Sequence, residues 1–312
     1  YFTGNLASDG DTWGFQLTFF RRSLLKERAP RDSRWAVRDL YPAHFAISDI
    51  GNRRFFHTDM ISREGPGLAS ASAEDLNVWI KNWSARREGD TILIAAQNEG
   101  YAIALDLISE KAPVLHGDRG YSRKGDSGTQ ASYYYSLTRL KANGTLTFNG
   151  KSHRVTGYAW MDQEFGSSIL LPDQVGWDWF SLQLDDGTEL MLFHLRKKDG
   201  TTERPFGTFV PKEGSPVDLA HSAVKISSQS VWTSPHTKAV YPMGWKIEIP
   251  ERDIRLTLVP AFEDQELTAA KSTAVTYWEG SVEVEGTAGG HRVGGRGYVE
   301  LTGYAHSMGG RL

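Results

Sequence analysis

Along the chain, apolar and polar residues alternate with period two much more often than with helical period, which predicts strands. Phe15, Leu17 and Phe19 alternate with Gln16 and Thr18, and YFTGNL before the turn ASDGDT is placed to form an opening hairpin with them. Further hairpins are expected in AHFAISDIGNRRFFHTDMI, around Asp49-Ile50-Gly51-Asn52, and in TILIAAQNEGYAIALDLIS, around Gln97-Asn98-Glu99-Gly100. Gly, Asn and Asp reach turn dihedrals at low cost. Between these hairpins, SAEDLNVWI predicts one short helix capped by Ser72. The glycine-rich GDRGYSRKGDSG is expected to be a rim loop, after which strands recur in SYYYSLTRL, ANGTLTF and SHRVTGYAWMD. Beyond a Gly/Pro-containing joint the same texture returns in WDWFSLQL, MLFHLR, MGWKIEIP, IRLTLVPAF, YWEGSVEVEG and GRGYVELTGY. The fold class that follows is antiparallel all-β.

The second half restates the first. YFTGNL overlays WFSLQL with Tyr1 against Trp179, and Phe15 to Arg21 overlays Leu190 to Arg196. At the other end of each half, His153, Arg154, Val155, Gly157, Trp160 and Asp162 overlay His291, Arg292, Val293, Gly295, Tyr298 and Glu300 without a gap. Each set follows a Tyr-led strand, from Tyr135 and from Tyr277. Two similar β-barrels are expected, spanning residues 1–168 and 169–312, with closure of each sheet removing its exposed edges.

Composition narrows the partners. Lys+Arg 35 against Asp+Glu 38 leaves a formal net charge of -3 over 312 residues, without the basic surplus that binding to a phosphate backbone requires, so nucleic acid is not an expected partner. Cysteine is absent, which excludes thiolate nucleophiles, disulfides and cysteine metal sites. The histidines form no metal-ligand spacing, and no nucleotide fingerprint or nucleophile elbow occurs, so neither a metal nor a cofactor is expected. His153 and His291 hold repeat-equivalent places and are read as structural. Arg28, Arg31, Arg34 and Arg38 read as a solvated loop face, and Arg119 as a turn residue within reach of a barrel mouth. Ten Trp in a chain that is 12% aromatic suit either an ordinary β core or the wall of an apolar cavity. No apolar run approaches the ~20 residues of a membrane-spanning helix. Because the chain opens on Tyr1 within a strand-like pattern, a preceding segment such as a signal peptide is expected.

The opening YFTGNL, the middle AWMDQEF…PDQVGWDWFSLQLDDGTELMLFHLR and the late DQEL, YWEGSVEVEG and GRGYVELTGY together resemble the AttH/CrtC family, whose best-known members are carotenoid 1,2-hydratases. The resemblance spans the whole chain. It implies a tandem pair of lipocalin-like (calycin-like) barrels, an exported protein of the periplasm or cell envelope, and a membrane transporter permease as a partner. It also implies an apolar isoprenoid or lipid-like ligand and hydro-lyase or isomerase chemistry.

Hydrating an isolated trisubstituted alkene needs a proton delivered to carbon, a shielded tertiary cation, and water. A carboxylic acid held neutral by an apolar pocket can give that proton, and aromatic faces stabilise the cation. Asp162 matches the family's motif aspartate and is the candidate acid. Tyr158 and Trp160 share its strand face by alternation, Tyr133 and Tyr135 are expected across the hairpin on the same face, and Trp177 and Trp179 follow the joint as further ligand-lining residues. The hydratases carry a His and a Trp where this chain has the two tyrosines. Glu164 and Glu300 are secondary candidates, one beside Asp162 and one its repeat equivalent. Three other readings stay open: Asp162 as a strand-end carboxylate bonding backbone amides, a non-catalytic lipid-binding or chaperone module, and a scaffold with barrels packed shut.

Overall fold

The computed structural model describes residues 1–24, 37–123, 131–166, 170–171 and 173–309. Among them there is no α-helix, only two single 3-10 turns. A fourteen-stranded antiparallel sheet takes in the strands from Phe2–Ser8 to Lys151–Gly166, and a ten-stranded one those from Gln174–Leu184 to His291–Thr302. Each curls around its own core as a half-barrel, and together they form a tandem lipocalin-like pair. Among the described residues the ladder of each sheet is an open path, and each sheet is curled into a half-barrel.

In both sheets the last long strand returns beside the first. Phe2 stands opposite Met161 on one side and Leu17 on the other. Phe180 stands in the same way between Val299 and Leu192. A Cβ on Gly157 would lie 2.0 Å from the Asn5 carbonyl oxygen, and one on Gly295 2.4 Å from that of Gln183, so each glycine permits a close approach between paired backbones. Gly157→Ala is therefore expected to cost about 1–3 kcal/mol by overpacking, measured from the midpoint of urea unfolding.

Two expectations change. Residues 72–80 are not a helix: Asn77–Ile80 is a strand paired with Trp83–Glu88. About two turns is too short for a stable isolated helix. Here Ile80 is buried in the first core and Val78 packs against it. Ser72 instead accepts a hydrogen bond from the Glu74 amide at 3.1 Å. The second change concerns the tyrosines: the ladder sets Tyr134, rather than Tyr135, in the place that Tyr277 holds in the second sheet. The hairpin turns at residues 50–53 and 99–100 lie where turn chemistry put them. Arg28, Arg31 and Arg34 and part of the rim loop lie outside the described residues, while Arg119 is exposed beside Asp118.

Alternation decides how the two sheets meet. In the first, Phe2, Leu6, Phe15, Leu17, Phe45 and Met161 enter its core. The intervening residues turn toward the second sheet: Ser281 Oγ donates to Asn5 Oδ1 at 2.5 Å, and Ser48 Oγ to Gln265 Oε1 at 2.7 Å. In the second sheet Phe180, Leu182, Trp278 and Val299 enter the core. Trp179 and Tyr298 face back and cluster with Tyr134, Trp160 and Met191. The half-barrels thus pack through the faces opposite their own cores, and the seam is both aromatic and polar. A fully buried Glu189 clamps it, receiving Lys111 Nζ at 2.7 Å on one oxygen and Arg139 on the other.

Candidate functional site in the seam between the sheets

Asp162 lies near the end of Lys151–Gly166, on the face turned to the second sheet. Among the described residues its carboxylate oxygens accept from three side chains. Tyr134 hydroxyl donates to Oδ2 at 2.6 Å, while Ser136 Oγ at 2.5 Å and Trp160 Nε1 at 2.6 Å donate to Oδ1. Its backbone nitrogen continues the ladder to the Tyr1 carbonyl at 3.0 Å. Trp179 Nε1 supports Tyr134 by donating to its hydroxyl at 3.1 Å. The Trp179 ring is edge-on to Trp160 at 6.2 Å and to Tyr1 at 5.3 Å.

A histidine stands behind Ser136. Backbone pairing of Val114–Leu115 with the tyrosine strand brings in His116, which is fully buried. Its Nε2 lies 2.7 Å from Ser136 Oγ and its Nδ1 2.9 Å from Thr208 Oγ1 of the second sheet. Since the single Ser136 hydroxyl proton goes to Asp162, Nε2 carries the proton of the His116–Ser136 bond.

Opposite Asp162 the second sheet presents Glu300, whose Oε2 accepts from Trp177 Nε1 at 2.9 Å. Glu279 is its direct cross-strand partner and accepts from the Tyr1 hydroxyl. Burial raises the Asp162 pKa to about 6 against the opposing pull of its three donors. Burial also raises Glu300 to about 7, with the charges of Asp162 and Glu164 adding to it. Glu279 is pushed well above the usual carboxylate range, first by burial and then by Glu300. Asp162, Glu300, Trp177 and Tyr1 are only partly buried, so this end of the seam opens to solvent, whereas Glu279 is buried. The arrangement can hold, give and take a proton beside aromatic surface.

Of the residues expected at the site, Asp162, Trp160, Trp177 and Trp179 converge here, and Glu300 joins them. Tyr133 and Tyr135 do not: Tyr133 pairs with Phe165 and stacks on its ring, and Tyr135 pairs with Gln163. Both point to the face opposite Asp162, because Ser136 and not a tyrosine stands directly across from it. Tyr158 shares the face of Asp162 but lies farther along the strand, 38% exposed and under the Arg139 guanidinium at 5.2 Å. Glu164 is exposed and accepts from Ser132 Oγ at 2.5 Å. Tyr1, His116, Tyr134, Ser136 and Glu279 were not singled out by the sequence.

A family model described as AttH-like matches residues 1–304. An AttH protein of Nitrosomonas europaea, solved by crystallography, is 35% identical, with a TM-score of 0.85 over 97% of this chain and 91% of that one. Kievitone hydratase of Nectria haematococca shares the fold at 16% identity, with a TM-score of 0.76 over 98% of this chain and 88% of that one. The dehydratase asqC of Emericella nidulans is 21% identical over 221 residues, 68% of this chain. The match spans 61% of that relative's length.

Proposed function

The chain belongs to the AttH-like family, and we propose that it adds water to, or removes it from, an apolar isoprenoid or lipid-like molecule bound at the open end of the seam. One observation carries this reading: Asp162, on a residue only partly buried, has a carboxyl of raised pKa, set among Trp160, Trp177 and Trp179 and held by side chains instead of backbone amides. Two of the compared proteins are named for the two directions of that chemistry, a hydratase and a dehydratase. Protonated Asp162 gives its proton to one alkene carbon, and the tertiary cation left on the other is shielded by aromatic surface. Water adds to the cation, and the surplus proton returns to the Asp162 carboxylate. Dehydration runs the same steps backward. The Thr208–His116–Ser136 chain orients the carboxylate from behind.

The test is incubation with a panel of acyclic isoprenoid alkenes, dihydromyrcene among them, with the tertiary alcohol measured by gas chromatography. Alcohol formation supports the reading. Binding without turnover would leave a carrier, and neither binding nor turnover across the panel would remove this substrate class. The acid role also predicts a pH profile. Hydration should fall as pH rises through about 6, because above it Asp162 has no proton to give. Initial rates that stay level or rise across that range would contradict the assignment. An envelope location and service to a transporter permease are proposed on the family resemblance; fractionation of cells making the full-length protein tests the first.

A further inference from the structure

Inward of Asp162, five side chains form a closed ring between the sheets. Tyr1 and Thr3 are alternate residues along one edge, and Thr3 stands directly opposite Gln16. Gln16 Nε2 reaches across to the Tyr277 hydroxyl at 3.4 Å. Tyr277 and Glu279 are alternate residues of Thr276–Ala288, and the Tyr1 hydroxyl donates to Glu279 Oε1, which completes the circuit. Thr3, Gln16 and Glu279 are 1%, 2% and 2% exposed. Among the described residues, each nevertheless has a buried polar atom without a hydrogen-bond partner: Thr3 Oγ1, Gln16 Oε1 and Glu279 Oε2.

Folded interiors pair nearly all such atoms, so three on one ring call for a guest that hydrogen-bonds. Its chemistry follows from theirs. The Gln16 carbonyl only accepts, the Thr3 hydroxyl does either, and a protonated Glu279 donates from Oε2 while Oε1 takes the Tyr1 proton. Burial and the neighbouring Glu300 favour that protonated form. An anion would meet the Gln16 carbonyl oxygen, and a cation would compete with a donor. A neutral hydroxyl satisfies all three.

Resting on the hydration reading above, we propose that Thr3, Gln16 and Glu279 form the hydroxyl subsite of the seam, holding the water that is added or the alcohol oxygen that is lost. Glu300, directly across from Glu279, joins this ring to the open end. In hydration one alkene carbon takes the Asp162 proton, the held oxygen then forms the new C–O bond to the cationic carbon beside it, and the proton released from water restores the Asp162 carboxyl group.

Two measurements on the full chain test this. A crystal structure at a resolution that shows ordered water, with and without soaked dihydromyrcenol, should place an oxygen within hydrogen-bond distance of all three atoms. Tryptophan fluorescence titration should find dihydromyrcenol binding about tenfold more tightly than dihydromyrcene, which lacks only the elements of water. Thr3→Val, which keeps the side-chain shape, and Glu279→Leu should each weaken dihydromyrcenol binding about tenfold and so erase that preference. Equal binding of both probes to the unaltered protein overturns the subsite. So does a structure in which the three atoms turn onto one another with no oxygen between them. If neither probe binds, it is the apolar-substrate reading that fails, and the crystallographic oxygen alone decides the ring: its presence keeps the subsite, its absence ends it.

Discussion

Asp162→Asn should lower the rate of alkene hydration by about 10²- to 10⁴-fold, the range that a positioned acid–base group contributes, while the protein stays folded. Asparagine keeps the shape, and its Oδ1 can still accept from Ser136 and Trp160. Its Nδ2 donates where Oδ2 accepted, so the Tyr134 hydroxyl must turn to receive it. What is lost is the proton that moves. The substitution also removes a charge that burial disfavours, so thermal stability above pH 7 should not fall. The sign follows from linkage: a carboxyl whose folded pKa is raised contributes stability below its unfolded value near 3.9, and that contribution is lost as pH rises through the folded value. Gas chromatography of the alcohol and melting followed by circular dichroism check both halves. A rate within threefold of the unaltered protein would remove Asp162 from the chemistry.

Glu189→Ala should have the largest effect on stability, about 3–5 kcal/mol, because breaking a buried ion pair leaves its partners charged and unpaired. Glu189 is fully buried on the second sheet, and Lys111 and Arg139 reach it from the first. Lys111 also donates to the Gly187 and Pro211 carbonyls, at 2.7 and 2.8 Å, and Arg139 Nη2 to Leu184 at 2.8 Å. These carbonyls would still bond the two cations but could not neutralise them. By contrast Arg86→Ala, which breaks the exposed pair with Glu88, should cost no more than about 1 kcal/mol. Urea unfolding of both variants makes the comparison, and equal losses would show that the seam is not held at Glu189.

Much of the architecture was legible because alternation states which residues are strands and which pair of faces each strand has. The Asp162–Trp160 pairing was legible for the same reason: both lie on one strand, two residues apart. The tyrosines were not. Counting back from the hairpin that joins Phe148 to Lys151 puts Tyr133 and Tyr135 on the face of Asp162, but the ladder slips by one residue between Leu137 and Leu140. A single bulged residue reverses every side chain beyond it, and so Tyr134 and Ser136 take the places expected of their neighbours. Three consecutive tyrosines give the pattern no way to reveal the slip.

The location of the site was hidden for another reason. Alternation distinguishes two faces of a sheet but does not say that both half-barrels turn the second face toward each other, which moves the site from a barrel interior to the seam. Glu300 could be anticipated only as the repeat counterpart of Asp162. His116 could not be, since it follows the two-residue strand Val114–Leu115, too short to carry a period. Its contact with Ser136 depends on tertiary packing.

A working carboxyl at Asp162 and a purely structural acceptor there differ in how the side chain titrates. Carbon-13 NMR titration of the aspartate side chains, with Asp162 assigned by the signal missing from Asp162→Asn, measures this directly. For a proton-donating Asp162 the expected midpoint is about 6. A midpoint below the ordinary aspartate value near 3.9 would mean that the three donors outweigh burial and that Asp162 is a permanently ionised anchor, contradicting its part in proton transfer.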